Sequence, residues 1–120
     1  MREESRRQKR VGRLIQEALS EILQQELAGV TTGVVTVTRA EVPADLRTAR
    51  IYLSVFGPED PTGVLAYLEK RKGHLRKLLA SSVKLKYNPG LIFTLDETEE
   101  FSERMDELLR STKARERDTS

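Results

Sequence analysis

The chain contains no cysteine and no tryptophan, one histidine, and only three tyrosines and three phenylalanines in 120 residues. Without cysteine there is neither a disulfide nor a thiolate metal site, which fits a reducing compartment. The scarcity of rings argues against a base-stacking platform. Tyr52, Phe56, Tyr67, Tyr87, Phe93 and Phe101 mostly fall where core packing would use them. No apolar run approaches the roughly 18–20 residues of a membrane span, and MREESRRQKR at the start lacks a signal-peptide core. A soluble cytoplasmic protein is expected. Walker, G-x-G-x-x-G, H-E-x-x-H and G-x-S-x-G motifs are absent too. His74 lies among lysines and arginines, with no carboxylate nearby in sequence to orient it for catalysis. The reading is a protein with no catalytic residues, no metal and no cofactor.

Charge is what the chain has in quantity. The net is only +2, but the signs are segregated. Positive residues gather in 2–13 and 70–86, and no Asp or Glu lies between Lys70 and Lys86. Asp96, Glu97, Glu99, Glu100, Glu103, Asp106 and Glu107 make an acidic block. Its first residues could hold magnesium, but acidic side chains opening a helix are accounted for by its dipole. One face that attracts a polyanion and one that repels it is the expectation.

Apolar residues at helical spacing from Val11 to Leu27 predict an amphipathic helix over about 8–27, with residues 1–10 loose before it. Its mixed polar face suits packing on a sheet better than lying on a membrane. Alternation over 34–42 predicts a first strand whose buried face is unsettled, with Arg39 provisionally on the side of Val35 and Val37. Pro43-Ala44-Asp45-Leu46-Arg47 reads as a hairpin connection to a second strand over 48–56. There Ala49, Ile51, Leu53 and Val55 share a face, and Tyr52, Ser54 and Phe56 take the other. Thr62 is a candidate cap for a helix pair whose apolar stripe is Leu65, Leu68, Leu75, Leu78, Leu79 and Val83. Glycine costs about 1 kcal/mol inside a helix, so Gly73 suggests a bend or a close backbone approach. Tyr87-Asn88-Pro89-Gly90 should stop the second helix, and residues 91–95 form a third strand. Phe101, Met105, Leu108 and Leu109 suggest a last helix, capped by Asp96 or Thr98. The sum is one α+β domain over 1–110, with helices on one face of a three-stranded sheet, and a disordered polar tail over 111–120.

With the elements placed, the chain resembles the ribosome-binding factor A family over about residues 5–110. Residues 10–15 (RVGRLI) and 35–39 (VTVTR) carry part of the likeness, and residues 43–55 (PADLRTARIYLSV) match the family's DLR-x-A-x-V hairpin. Residues 73–80 (GHLRKLLA) match its G-x-hydrophobic-R helix; Pro89, Gly90, Leu91, Ile92, Phe93 and Asp96 match its P-E-L-x-F…D strand. Three positions depart from the family pattern: the Asp-Pro-Arg usual near residues 29–32 is missing, Arg71-Lys72-Gly73 replaces Ala-x-Gly, and Gly90 replaces Glu.

The resemblance implies a KH-type fold of the second topology, in the order α-β-β-α-kink-α-β, with the kinked helix pair in place of the G-x-x-G loop. It further implies a monomer that binds 16S rRNA on free 30S subunits late in maturation. Support of 5′-end processing and cold adaptation follows in the same way, with an assembly GTPase as releasing partner by analogy. Phosphate contacts are then expected from Lys70, Arg71, Lys72, Arg76, Lys77, Lys84 and Lys86, with Gly73 and His74 at close approach. Arg6, Arg7, Lys9, Arg10 and Arg13 would add a second basic strip if the first helix lies nearby. The competing reading is a protein-interaction module that docks an acidic partner on the same helix pair.

Overall fold

A computed structural model of the chain describes residues 4–58 and 60–97. Helix α1 spans Arg6–Glu26 and begins earlier than its apolar periodicity suggests. Ser5 is the reason: its hydroxyl accepts the Gln8 N–H at 3.1 Å, and the Gln8 side-chain oxygen accepts the Ser5 N–H at 2.9 Å. This reciprocal cap satisfies two amides that would otherwise be left over. Arg6, Arg7, Lys9 and Arg10 therefore stand on a helix rather than in the loose segment expected for residues 1–10.

The order continues β1 (Val34–Glu41), β2 (Thr48–Phe56), α2 (Pro61–Lys70), α3 (Lys72–Ser82) and β3 (Gly90–Leu95). Asp60, not Thr62, caps α2: its carboxylate accepts the Thr62 N–H at 3.1 Å, with Pro61 preset for the first helical turn. Sheet order is β1-β2-β3, antiparallel between β1 and β2 and parallel between β2 and β3. A parallel pair needs a long crossover, and α2 with α3 supplies it. The helices cover one sheet face. Ile15, Leu19 and Leu23 of α1, Leu68 of α2, and Leu75 and Leu79 of α3 meet Ile51, Leu53 and Leu91 in a fully buried core. Each such side chain contributes about 1.5–3 kcal/mol by leaving water.

The unsettled face of β1 has a physical answer. Val37 pairs with Leu53 and Arg39 with Tyr52, so Thr38 is an extra residue and the strand bulges there. Val35 and Val37 face the helices before the bulge; Ala40 and Val42 do so after it. Arg39 is thereby turned to the opposite face from Val37, contrary to the provisional placement. It stacks 3.9 Å from the Tyr52 ring centre and pairs with Glu41 at 3.4 Å.

One stripe of α1 is fitted to this bulge. A Cβ on Gly12 would lie 2.6 Å from the Ala40 carbonyl oxygen, so only glycine lets the helix come this close. One turn on, the Gln16 amide donates to the Val37 and Thr38 carbonyls at 3.4 and 3.1 Å. One turn back, the Gln8 amide donates to the Val42 carbonyl at 3.1 Å. Carbonyls on a bulged edge strand need such donors, and these side chains also deny the edge to a foreign strand.

The expected last helix through Phe101, Met105, Leu108 and Leu109, the cap Thr98, the acidic residues from Glu99 onward, the limit at 110 and the tail all lie outside the described residues.

Candidate nucleic-acid interface

The helix pair is broken, as expected, but not at the glycine. Arg71 is the joint, with φ −100° and ψ 9° between α2 and α3. Gly73 sits in the first turn of α3, where a Cβ would meet nothing within 4 Å. Neither a turn nor internal crowding demands glycine there. Gly73→Ala should therefore raise stability by about 0.5–1 kcal/mol, read as a higher melting temperature. A lower melting temperature would show that the glycine serves the fold after all.

The cations around this joint are already engaged in part. Lys72 pairs with Glu69 at 2.6 Å, and the Arg71 guanidinium lies 4.5 Å from the Tyr67 ring centre. His74 does have a carboxylate partner, Glu26 at the end of α1, 3.2 Å away. That partner is distant in sequence, and the contact fastens the start of α3 to the end of α1. Lys70 and Lys77 are exposed, and neither is in an ion pair among the described residues.

Arg76 has internal work. Its Nε donates to the Pro89 carbonyl and its Nη2 to the Asn88 carbonyl, both at 3.0 Å. The guanidinium thus fixes the turn from which β3 departs. Arg76→Ala should cost about 1–3 kcal/mol, because two charge-assisted hydrogen bonds are lost together. Urea denaturation checks this; an unchanged midpoint would mean that water replaces the guanidinium at no cost.

Lys84 and Lys86 are not on a helix. α3 ends at Ser82, and Val83 is already extended at φ −134°, ψ 134°, well before the Tyr87–Gly90 stretch assigned as its stop. The segment that follows alternates, with Val83 and Leu85 half-buried and Lys84 and Lys86 exposed. It runs past the N-terminal half of α1, so α3 lies antiparallel beside α1. Arg7, Arg10, Lys84, Lys86 and Tyr87 consequently rim a cleft of about 400 Å³ whose floor includes Leu14 and Leu46. The two basic strips of the sequence meet here through four of their members. Arg6, Lys9 and Arg13 are exposed on α1 but do not line the cleft. The joint and the cleft mark opposite ends of the helical layer: Arg10 to Glu26 alone is about 24 Å along α1.

Tyr87 is more than the helix stop that its sequence context suggests. Its ring carries Arg47 and Lys86 at 5.4 and 5.5 Å from the ring centre. Leu46, buried under the cleft, holds φ 60°, a region leucine seldom adopts.

A family model described as ribosome-binding factor A matches residues 7–109. The chain belongs to the ribosome-binding factor A family. Ribosome-binding factor A from Brevibacillus brevis is 40% identical over 92% of this chain and 94% of that protein. The crystal structure of ribosome-binding factor A from Thermus thermophilus superposes with a TM-score of 0.64 over 73% of this chain and 94% of that one. At 22% identity this second likeness speaks for the fold, the KH-like α+β arrangement of the family. A homology model of the Thermus thermophilus factor, fitted into a cryo-EM map of its complex with the 30S subunit, superposes at 0.58 with 25% identity. It covers 68% of this chain and 86% of that one.

Among the described residues of this family member, no group of three or more His, Asp or Glu is placed to hold a metal ion. None of the described helices is long and apolar enough to cross a membrane.

Proposed function

We propose that this ribosome-binding factor A family member is a non-catalytic, monomeric, cytoplasmic RNA-binding factor for late maturation of the 30S subunit. It contacts 16S rRNA, supports processing of the 5′ end and growth in the cold, and leaves the subunit with the help of an assembly GTPase. Family membership over residues 7–109 carries this reading. The related Thermus thermophilus factor fitted into a 30S complex supports it.

The surface supplies a means. Lys70 and Lys77 near the joint, and Arg7, Arg10, Lys84 and Lys86 at the cleft, are exposed cations on the helical layer. Such groups gain affinity by releasing counterions from a phosphate backbone, and they position without reading sequence. Recognition then comes from the folded shape of the subunit's RNA.

The test is co-sedimentation of the purified protein with 30S subunits across a salt series. Binding at low salt is expected, with log affinity falling against log salt at a slope of about −3 to −4.5 for four or five phosphates. Absence of co-sedimentation at low salt, or a slope near zero, would contradict it.

A further inference from the structure

The cleft between α1 and residues 84–87 is more than a charged patch, because its floor is apolar. Leu14 is 38% exposed although it belongs to the hydrophobic stripe of α1, and it lies within the cleft beside Leu46 and Leu85. Arg7, Arg10, Lys84 and Lys86 have no ion-pair partner among the described residues, and the Lys86 ammonium lies 5.5 Å from the Tyr87 ring centre. At the joint, by contrast, Lys72, His74 and Arg76 have polar partners within the protein and only Lys70, Arg71 and Lys77 lack one among the described residues, Arg71 lying over the Tyr67 ring.

We propose that this cleft is a subsite for one unpaired nucleotide within an RNA strand, its base on the Leu14 and Leu85 floor and the strand's successive phosphates on either side of it against Arg7, Arg10, Lys84 and Lys86. The proposal rests on the RNA-binding reading above and makes it specific to single-stranded RNA. Four cations with no ion pair among the described residues select a polyanion, and the apolar floor asks for a flat, weakly hydrated surface next to that charge. A nucleotide joins those two features within one ligand. At about 400 Å³ the cleft falls in the lower part of the range for small-ligand pockets, roughly 300–1,000 Å³, enough for one nucleotide and too small for a duplex. RNA bases are available for such burial only where they are unstacked, in loops, bulges and ends. A protein partner of acidic character would use the four cations but would leave the exposed leucine without a role.

The experiment uses the full chain and fluorescence anisotropy with a mixed-sequence RNA octamer, the same sequence as a blunt duplex, and polyglutamate as competitor. The parent protein should prefer the single strand at least tenfold over the duplex. Leu14→Ser, a change at a surface position, should remove that preference while leaving the salt slope unchanged. Lys84→Ala with Lys86→Ala should weaken both RNAs and flatten the slope by one to two, since each lost phosphate contact removes about 0.7–0.9. A thermal melt confirms that each variant is folded.

Equal binding of strand and duplex by the parent overturns the subsite, as does an unaltered preference in Leu14→Ser. Polyglutamate competing as strongly as the octamer overturns it in favour of an acidic protein partner. Where 30S subunits still co-sediment, those results leave the broader reading intact. Failure to bind subunits and both RNAs overturns the two together.

Discussion

Gly12→Ala should destabilise the protein by about 1–3 kcal/mol, even though alanine gains about 1 kcal/mol over glycine inside a helix. The sign is set by the neighbour. The added methyl would stand 2.6 Å from the Ala40 carbonyl oxygen, a backbone atom that moves only if β1 or α1 moves. Lifting α1 would also stretch the Gln16 hydrogen bonds to β1 and the Gln8 hydrogen bond to Val42 just after it, which flank Gly12 by one turn on each side. Gly12→Val adds a second branch to the same clash and should cost more. In a domain of this size, with total stability of the order of 5–15 kcal/mol, the loss is a large share. Urea denaturation gives the number. A variant as stable as its parent would show that helix and strand are not held at that separation.

The second large effect is on binding. Reversing the charge of Arg7, Arg10, Lys84 and Lys86 together should abolish co-sedimentation with 30S subunits at physiological salt. Four neutralised phosphates correspond to a slope of about −3, or close to a hundredfold in affinity between 50 and 200 mM salt, and reversal adds repulsion to that loss. All four side chains are exposed, so the fold should survive, as circular dichroism would confirm. Reversal of Lys70 and Lys77 is the control at the joint and should weaken binding less. The opposite ranking would move the interface to the α2–α3 joint.

Much of the fold can be read from the chain alone. The second strand is expected over 48–56 and found there, because Ala49, Ile51, Leu53 and Val55 alternate without interruption. α1, the helix pair and the third strand announce themselves through periodicity as well. Several features that the sequence leaves unread depend on a contact that periodicity does not encode. Thr38 is an ordinary strand residue until its partner strand shows it to be surplus. Gly12 and Gly73 are alike in sequence, yet one is crowded by a carbonyl and the other is open. Arg76 is expected among the phosphate ligands because a guanidinium carries charge wherever it lies; that it also holds the Asn88–Pro89 turn shows only in the structure. Two local signals do mark features that the helical stripes miss: the Ser5–Gln8 spacing of a capping box, and the period-two alternation of Val83, Lys84, Leu85 and Lys86.

Site-directed photocrosslinking separates the two faces of the molecule. A photoreactive side chain placed at position 14, within the cleft, should crosslink to 16S rRNA when the protein is bound to 30S subunits, at a small number of unpaired nucleotides. The same group at exposed Thr36, on the sheet face away from the helices, should give little RNA adduct. Strong crosslinking from position 36 with none from position 14 would mean that the ribosome meets the sheet and not the basic helical layer.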